Sequence, residues 1–225
     1  MRTGKGIISE LILLDGQRHA RISCPTDMIP VPGKFLLASD GSEAPLPVSL
    51  FYTDSAPQGF LAAPIPDRWA PGTEIFLRGP LGNGFSIPPN AQKICLAAFD
   101  IPISRLRGMI QPALKQNAAV VLVVAEKVVE SLPDEVEIHP MESLAEILAW
   151  ADYAATEISR ESLPALNGQI GELGRNASWR DVQIFIETPV PCGGLADCGV
   201  CAITTKSGWK LVCKDGPVFS FDELM

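Results

Sequence analysis

The sequence predicts an antiparallel β domain, then a parallel-sheet α/β domain, then a short cysteine-rich tail. Three observations carry this. Strand-length apolar runs punctuated by turn residues fill the first ninety residues. Strands then alternate with helical periodicity. The last forty residues lose long periodicity and concentrate cysteine and glycine.

Residues 1–89 form the first unit. Apolar runs cover Gly6 to Leu14, Ala20 to Cys24, Phe35 to Ala38, Val48 to Tyr52 and Glu74 to Leu77. Asp15-Gly16, Pro32-Gly33, Asp40-Gly41 and Pro71-Gly72 separate them, which is the rhythm of a small barrel or sandwich. Pro88-Pro89-Asn90 marks a boundary.

Residues 90–187 form the second unit. Lys93 to Phe99 reads as an apolar strand, and Ile103, Leu106, Ile110 and Leu114 recur at helical spacing. Ala118 to Val124 is a continuous apolar run, as a strand buried on both faces requires. Met141 to Trp150 predicts a second helix, Tyr153 to Ala155 a short strand, Glu157 to Leu173 a partly helical stretch, and Val182 to Glu187 a last strand. The glycine-rich run Gly168 to Gly174 follows helix rather than strand and reads as a turn, not a phosphate loop.

Residues 188–225 form the tail, where a bound metal centre is expected to supply the order that a small apolar content does not. Four of the six cysteines, Cys192, Cys198, Cys201 and Cys213, fall within 22 residues, spaced C-x5-C-x2-C-x11-C. Plant-type [2Fe–2S] clusters use C-x4-C-x2-C and a distant fourth cysteine. A short loop brings three thiolates, a later segment the fourth, and glycines let backbone amides approach the sulfur atoms. A structural zinc site and unligated thiols are the alternatives; only one pair has the C-x2-C knuckle spacing. Cys24 and Cys95 sit in apolar strands and read as small core residues.

Composition narrows the function. The chain has 225 residues, a net charge of -8 and no basic stripe, so a nucleic-acid partner is not expected. No run reaches the roughly 20 apolar residues of a membrane span, and the N-terminus lacks a signal-peptide pattern. A cytoplasmic protein is expected, in which clustered thiols stay reduced and serve metals. His19 and His139 have no partner motif and read as surface or strand residues rather than catalysts.

These residues resemble a known family. The tail, ending Cys213-Lys214-Asp215-Gly216-Pro217-Val218-Phe219, is similar to that of the electron-transfer subunit of dihydroorotate dehydrogenase. Pro32-Gly33-Lys34-Phe35 resembles its P-G-Q-F strand, and Gly79-Pro80-Leu81-Gly82-Asn83-Gly84-Phe85 its interdomain G-P-L-G-x-G-F turn. The resemblance implies a ferredoxin-reductase-like fold: an antiparallel β-barrel, an α/β nucleotide-type domain and a [2Fe–2S] tail. It further implies FAD on the barrel, a nicotinamide site on the second domain, a flavoprotein catalytic partner and a place in pyrimidine biosynthesis.

The chain departs from the family where the organic cofactors bind. The flavin motif R-P-x-S appears as Leu46-Pro47-Val48-Ser49, without the arginine, leaving Pro47 and Ser49 as its remnant. The phosphate loop that follows appears shortened to Leu61 to Asp67. The glycine-rich strand–helix junction is replaced by Ala97-Ala98-Phe99-Asp100-Ile101-Pro102-Ile103. Gly82 and Gly84 stay as candidate cofactor-side positions, FAD is doubtful and NAD(P) is not expected. The expected function is an iron–sulfur electron-transfer subunit serving a flavoprotein, with a protein electron donor and no side chain doing bond chemistry. The alternatives are a non-catalytic scaffold with a structural metal, and a complete FAD/NADH reductase.

Overall fold

A computed structural model describes residues 2–44, 46–125, 131–166, 168 and 181–224. Most of the glycine-rich run 168–174 lies outside the described residues.

Six strands close an antiparallel barrel: β1 (Arg2–Leu14), β2 (Gln17–Ser23), β3 (Phe35–Ser39), β4 (Val48–Ala56), β5 (Gly59–Ala63) and β6 (Glu74–Leu81), in the order β1-β2-β5-β4-β3-β6. Asp15 and Gly16 both take positive φ, 50° and 70°, as the two-residue turn between β1 and β2 demands. Inward side chains alternate along each strand, and Ile8, Ile22, Leu36, Leu50, Phe60 and Trp69 fill the interior. His19, on β2, is fully buried with Nδ1 3.2 Å from the Thr53 hydroxyl, not at the surface.

β5 is an addition to the sequence reading, which took Leu61 to Ala63 as the start of a phosphate loop. The segment is a barrel strand paired to β2 and β4. Its tight turn through Gln58 lacks an Asn-Gly signature. A Cβ on Gly59 would come within 1.8 Å of the Ile22 carbonyl, so that position accepts glycine alone.

The second unit has parallel strands β7 (Lys93–Ala98), β8 (Ala119–Val124), β9 (Val136–Pro140), β10 (Tyr153–Ser159) and β11 (Val182–Glu187). Their order, β11-β10-β7-β8-β9, reverses direction between β7 and β10, which makes that point the topological switch. Helix α1 (Arg107–Lys115) follows a 3₁₀ turn at Ile103–Arg105, and α2 (Leu144–Trp150) follows one at Met141–Ser143. In the stretch from Glu157 to Leu173, β10 continues to Ser159 and helical turns begin at Arg160; residues 167 and 169–173 lie outside the described residues. His139 lies on β9 with Nε2 3.5 Å from Glu137.

The tail is also better ordered than its composition suggests. Strands β12 (Ala202–Thr205) and β13 (Gly208–Leu211) form a hairpin, followed by α3 (Val212–Asp215), β14 (Val218–Ser220) and α4 (Phe221–Leu224). β14 adds antiparallel to the edge of β11. Cys201, Ile203, Val212, Cys213 and Phe219 share one apolar cluster with Cys95, Val121, Ile158 and Ile184, so the tail covers one face of the parallel sheet. Burial of apolar surface therefore anchors the tail in addition to any metal.

Candidate metal centre

Two segments pinned side by side bring the four tail cysteines into one neighbourhood as two pairs. Cys192, Cys198 and Cys201 lie on the loop between β11 and β12, and Cys213 lies on α3. The loop turns through positive φ at Gly193 (62°), Gly194 (71°), Ala196 (64°) and Gly199 (70°). Such turns aim successive N–H groups at one point, a nest suited to negative charge. Backbone N–H groups of Ala196, Asp197 and Cys198 point at the Cys192 sulfur. Burial raises that thiol, but Cys198 and these amides outweigh it and draw it down to about 6.

Cys201 and Cys213 form the second pair. The Cys213 amide donates to the Cys201 Sγ at 3.5 Å. Burial, then the Cys201 sulfur and the charges of Cys201 and Cys192, push the Cys213 thiol up to about 12. The pairs thus share one neighbourhood but differ in exposure. Cys201 and Cys213 are buried, Cys192 is half-buried and Cys198 is exposed.

Among the described residues, no three His, Cys, Asp or Glu side chains close on one point. A two-iron cluster takes two thiolates on each iron, and Cys192/Cys198 with Cys201/Cys213 divide that way. The donor set and the amides around it fit an iron–sulfur cluster.

Two arginines, one from each domain, clamp the loop. Arg78 on β6 donates to the Gly193 carbonyl, and Arg160 after β10 donates to the Val200 carbonyl at 2.6 Å. Sequence reasoning missed both, since neither lies near the cysteines along the chain. The two glycine-rich signatures explain each other. The Asn83 amide donates to the Gly216 carbonyl at 2.6 Å, and its side-chain amide donates to that of Asp215 at 2.7 Å. A Cβ on Gly82 would come within 2.7 Å of both Gly216 and Pro217, and one on Gly84 within 2.8 Å of the Pro32 carbonyl. The interdomain turn is the seat of the tail.

Of the flavin-motif remnant, Pro47 packs on Gly193, and Ser49 sits on β4 opposite Leu37. Pro47 and Cys192 border a groove of about 900 Å³ on the outer face of the barrel, lined also by Leu37, Leu77, Arg78 and Leu195. Leu46, Phe76 and Leu195 expose about half or more of their surface at its rim. Cys95 is buried and Cys24 half-buried; burial raises both thiols, to about 12 and about 11. No helix among the described residues is long and apolar enough to cross a membrane.

Comparisons with known proteins agree with this geometry. A family model for the iron–sulfur cluster binding domain of dihydroorotate dehydrogenase B matches residues 192–225. The electron transfer subunit of dihydroorotate dehydrogenase B (NAD(+)) of Clostridium acetobutylicum is 24% identical over 214 residues, covering 86% of each chain. Its Clostridium perfringens counterpart is 28% identical over 166 residues, covering 66% of this chain and 65% of the relative. Sulfhydrogenase 1 subunit gamma of Pyrococcus furiosus is 24% identical over 191 residues, covering 70% and 65%. The chain thus spans just under two thirds of the length of these last two relatives. Among solved structures, an NADH-dependent reduced ferredoxin-NADP oxidoreductase superposes with a TM-score of 0.71 at 16% identity, covering 98% of this chain and 89% of that one. A ferredoxin reductase of carbazole 1,9a-dioxygenase gives 0.65 at 12% identity, covering 83% and 69%. The fold is ferredoxin-reductase-like.

Proposed function

As a relative of the electron-transfer subunits of dihydroorotate dehydrogenase B, this chain is, we propose, an iron–sulfur electron carrier that serves a flavoprotein partner. The proposed cluster is [2Fe–2S], ligated by Cys192, Cys198, Cys201 and Cys213. The observation that carries the reading is the division of these cysteines into two amide-ringed pairs, one buried and one facing solvent. Such a cluster supplies one-electron chemistry; the chain's own residues hold it, tune it and expose one edge.

The roles follow from placement. Cys201 and Cys213 root the site in the apolar layer over the parallel sheet. Cys192 and Cys198 present the accessible edge, beside the groove bordered by Leu46, Phe76 and Leu195. The amides of Ala196, Asp197 and Cys198 favour the charged thiolate and raise the potential of a bound cluster. A dihydroorotate dehydrogenase-type catalytic subunit is the proposed partner, in the cytoplasm and in pyrimidine biosynthesis. The test is reduction of the anaerobic protein followed by mixing with that flavoprotein. Reoxidation of the chain coupled to flavin reduction is expected. A scaffold would leave partner turnover unchanged when Cys198 is replaced by Ser, and that result would overturn the proposal.

A further inference from the structure

Parallel sheets of this order hold dinucleotides in the crevice beyond the carboxyl ends of their strands, at the switch point. Here that point lies between β7 and β10, against the barrel. It is already filled.

Arg105, from the β7–α1 connection, is 3% exposed, and Glu157 on β10 is fully buried. Arg105 Nη1 meets Glu157 Oε1 at 2.6 Å, and Nη2 meets Glu187 Oε1, at the end of β11, at 2.5 Å. The guanidinium lies 4.8 Å from the Phe51 ring of the barrel and 5.0 Å from the Phe185 ring of β11. Phe51 and Phe185 meet edge to face at 5.3 Å, and Phe35 joins Phe51 at 5.4 Å. One guanidinium and three aromatic rings therefore close the seam from both domains. On its flank α1 packs directly on β4: a Cβ on Gly108 would come within 2.4 Å of Tyr52.

Charge excludes a phosphate as firmly as space does. Asp100, where a glycine-rich phosphate loop would run, accepts from the Ser159 amide at 2.9 Å and the Ser162 hydroxyl at 2.7 Å. Glu157 and Glu187 thus take Arg105 as their countercharge, and Asp100 adds a further carboxylate held by Ser159 and Ser162. The neighbouring Arg107 is engaged by Asp15 at 2.9 Å. A pyrophosphate needs free donors at a helix N-terminus and would meet carboxylates instead.

We infer that Arg105 seals the barrel–sheet seam against a nicotinamide dinucleotide, so that this chain receives electrons one at a time from a separate protein bearing a one-electron centre. The donor class follows from electron count and rests on the proposed function; the sealed seam does not. A nicotinamide delivers a hydride, two electrons together, and a flavin is the group that divides them. A cluster held by Cys192, Cys198, Cys201 and Cys213 would take one electron at a time, so each transfer would oxidise the donor's centre by one electron and reduce one ferric ion to ferrous. No bond forms or breaks and no proton moves.

The experiment uses the intact, anaerobically purified chain. NADH fluorescence is followed as protein is added, and visible absorbance is followed after NADH, or after photoreduced ferredoxin. Unchanged NADH fluorescence, no bleaching by NADH and stoichiometric bleaching by ferredoxin are expected. Saturable one-to-one NADH binding, or NADH-driven bleaching, overturns the sealed seam. Bleaching by dithionite but not by ferredoxin overturns the donor class. If the chain carries no iron, the NADH titration still decides the seam, so the two failures are distinguishable.

Discussion

Replacing Arg105 by Met tests the seam energetically. The side chain is 4% exposed and its partner Glu157 is fully buried, so the substitution leaves a carboxylate in the interior without its cation. Breaking a buried pair from one side costs about 3–5 kcal/mol. For a chain of this size each kcal/mol lowers the melting temperature by roughly 2–4 °C, so a loss on the order of 10 °C is expected. The cost depends on pH. Burial pushes the Glu157 carboxyl up to about 7, Arg105 opposing, and removal of Arg105 raises it further. A raised carboxyl binds its proton in the folded state, and the stability this lends is lost as pH rises through the folded value. The deficit of Arg105→Met therefore grows as pH rises above about 7, where the wild-type carboxyl has released its proton and the orphaned one still holds it. Adding Glu157→Gln removes the orphaned charge and should recover at least half of it. Thermal and urea melts of the wild type, both single variants and the double variant give the coupling directly. A single-variant loss under about 1 kcal/mol, or no recovery in the double variant, would refute the reasoning.

Two further predictions concern the loop and the barrel. Arg78→Ala and Arg160→Ala each remove a charge-assisted bond to a loop carbonyl, and iron release to a chelator should speed up several-fold in each; unchanged release rates would show that neither arginine clamps the loop. Burial, then the charge of Arg107, lowers His19 from 6.5 to about 4. The unfolded chain then binds a proton that the folded one refuses, so stability is complete above about pH 6.5 and declines toward pH 4, and His19→Gln should flatten the melting curve across that window.

What the sequence made legible follows from where its signals are local. The apolar runs of β3, β4, β7, β8 and β11 are strands, because alternation or continuous burial is written into five or six consecutive residues. The cysteines were visible for the same reason. Pairings across the chain were not. β14 is three residues long and forms only on the edge of β11, so no periodicity announces it. β5 is short and begins after a turn without Asn-Gly. Arg78 reaches Gly193 across 115 positions, and Arg105 reaches Glu157 and Glu187 across 52 and 82. One signal for the last pair did exist. Glu157 stands inside the apolar run Tyr153 to Ile158, and a carboxylate in a buried strand calls for a cation.

The tail motif's tolerance of one extra residue between Cys192 and Cys198 also has a structural answer. Left-handed turns at Gly193, Gly194 and Ala196 make room for the longer spacing, and the buried pair Cys201 and Cys213 lies outside that stretch. The central claim is that four thiolates hold two irons in two pairs. The most direct measurement is the metal and sulfide content of the anaerobically purified protein. About two iron and two acid-labile sulfide per chain are predicted. One zinc per chain with no sulfide would contradict the account.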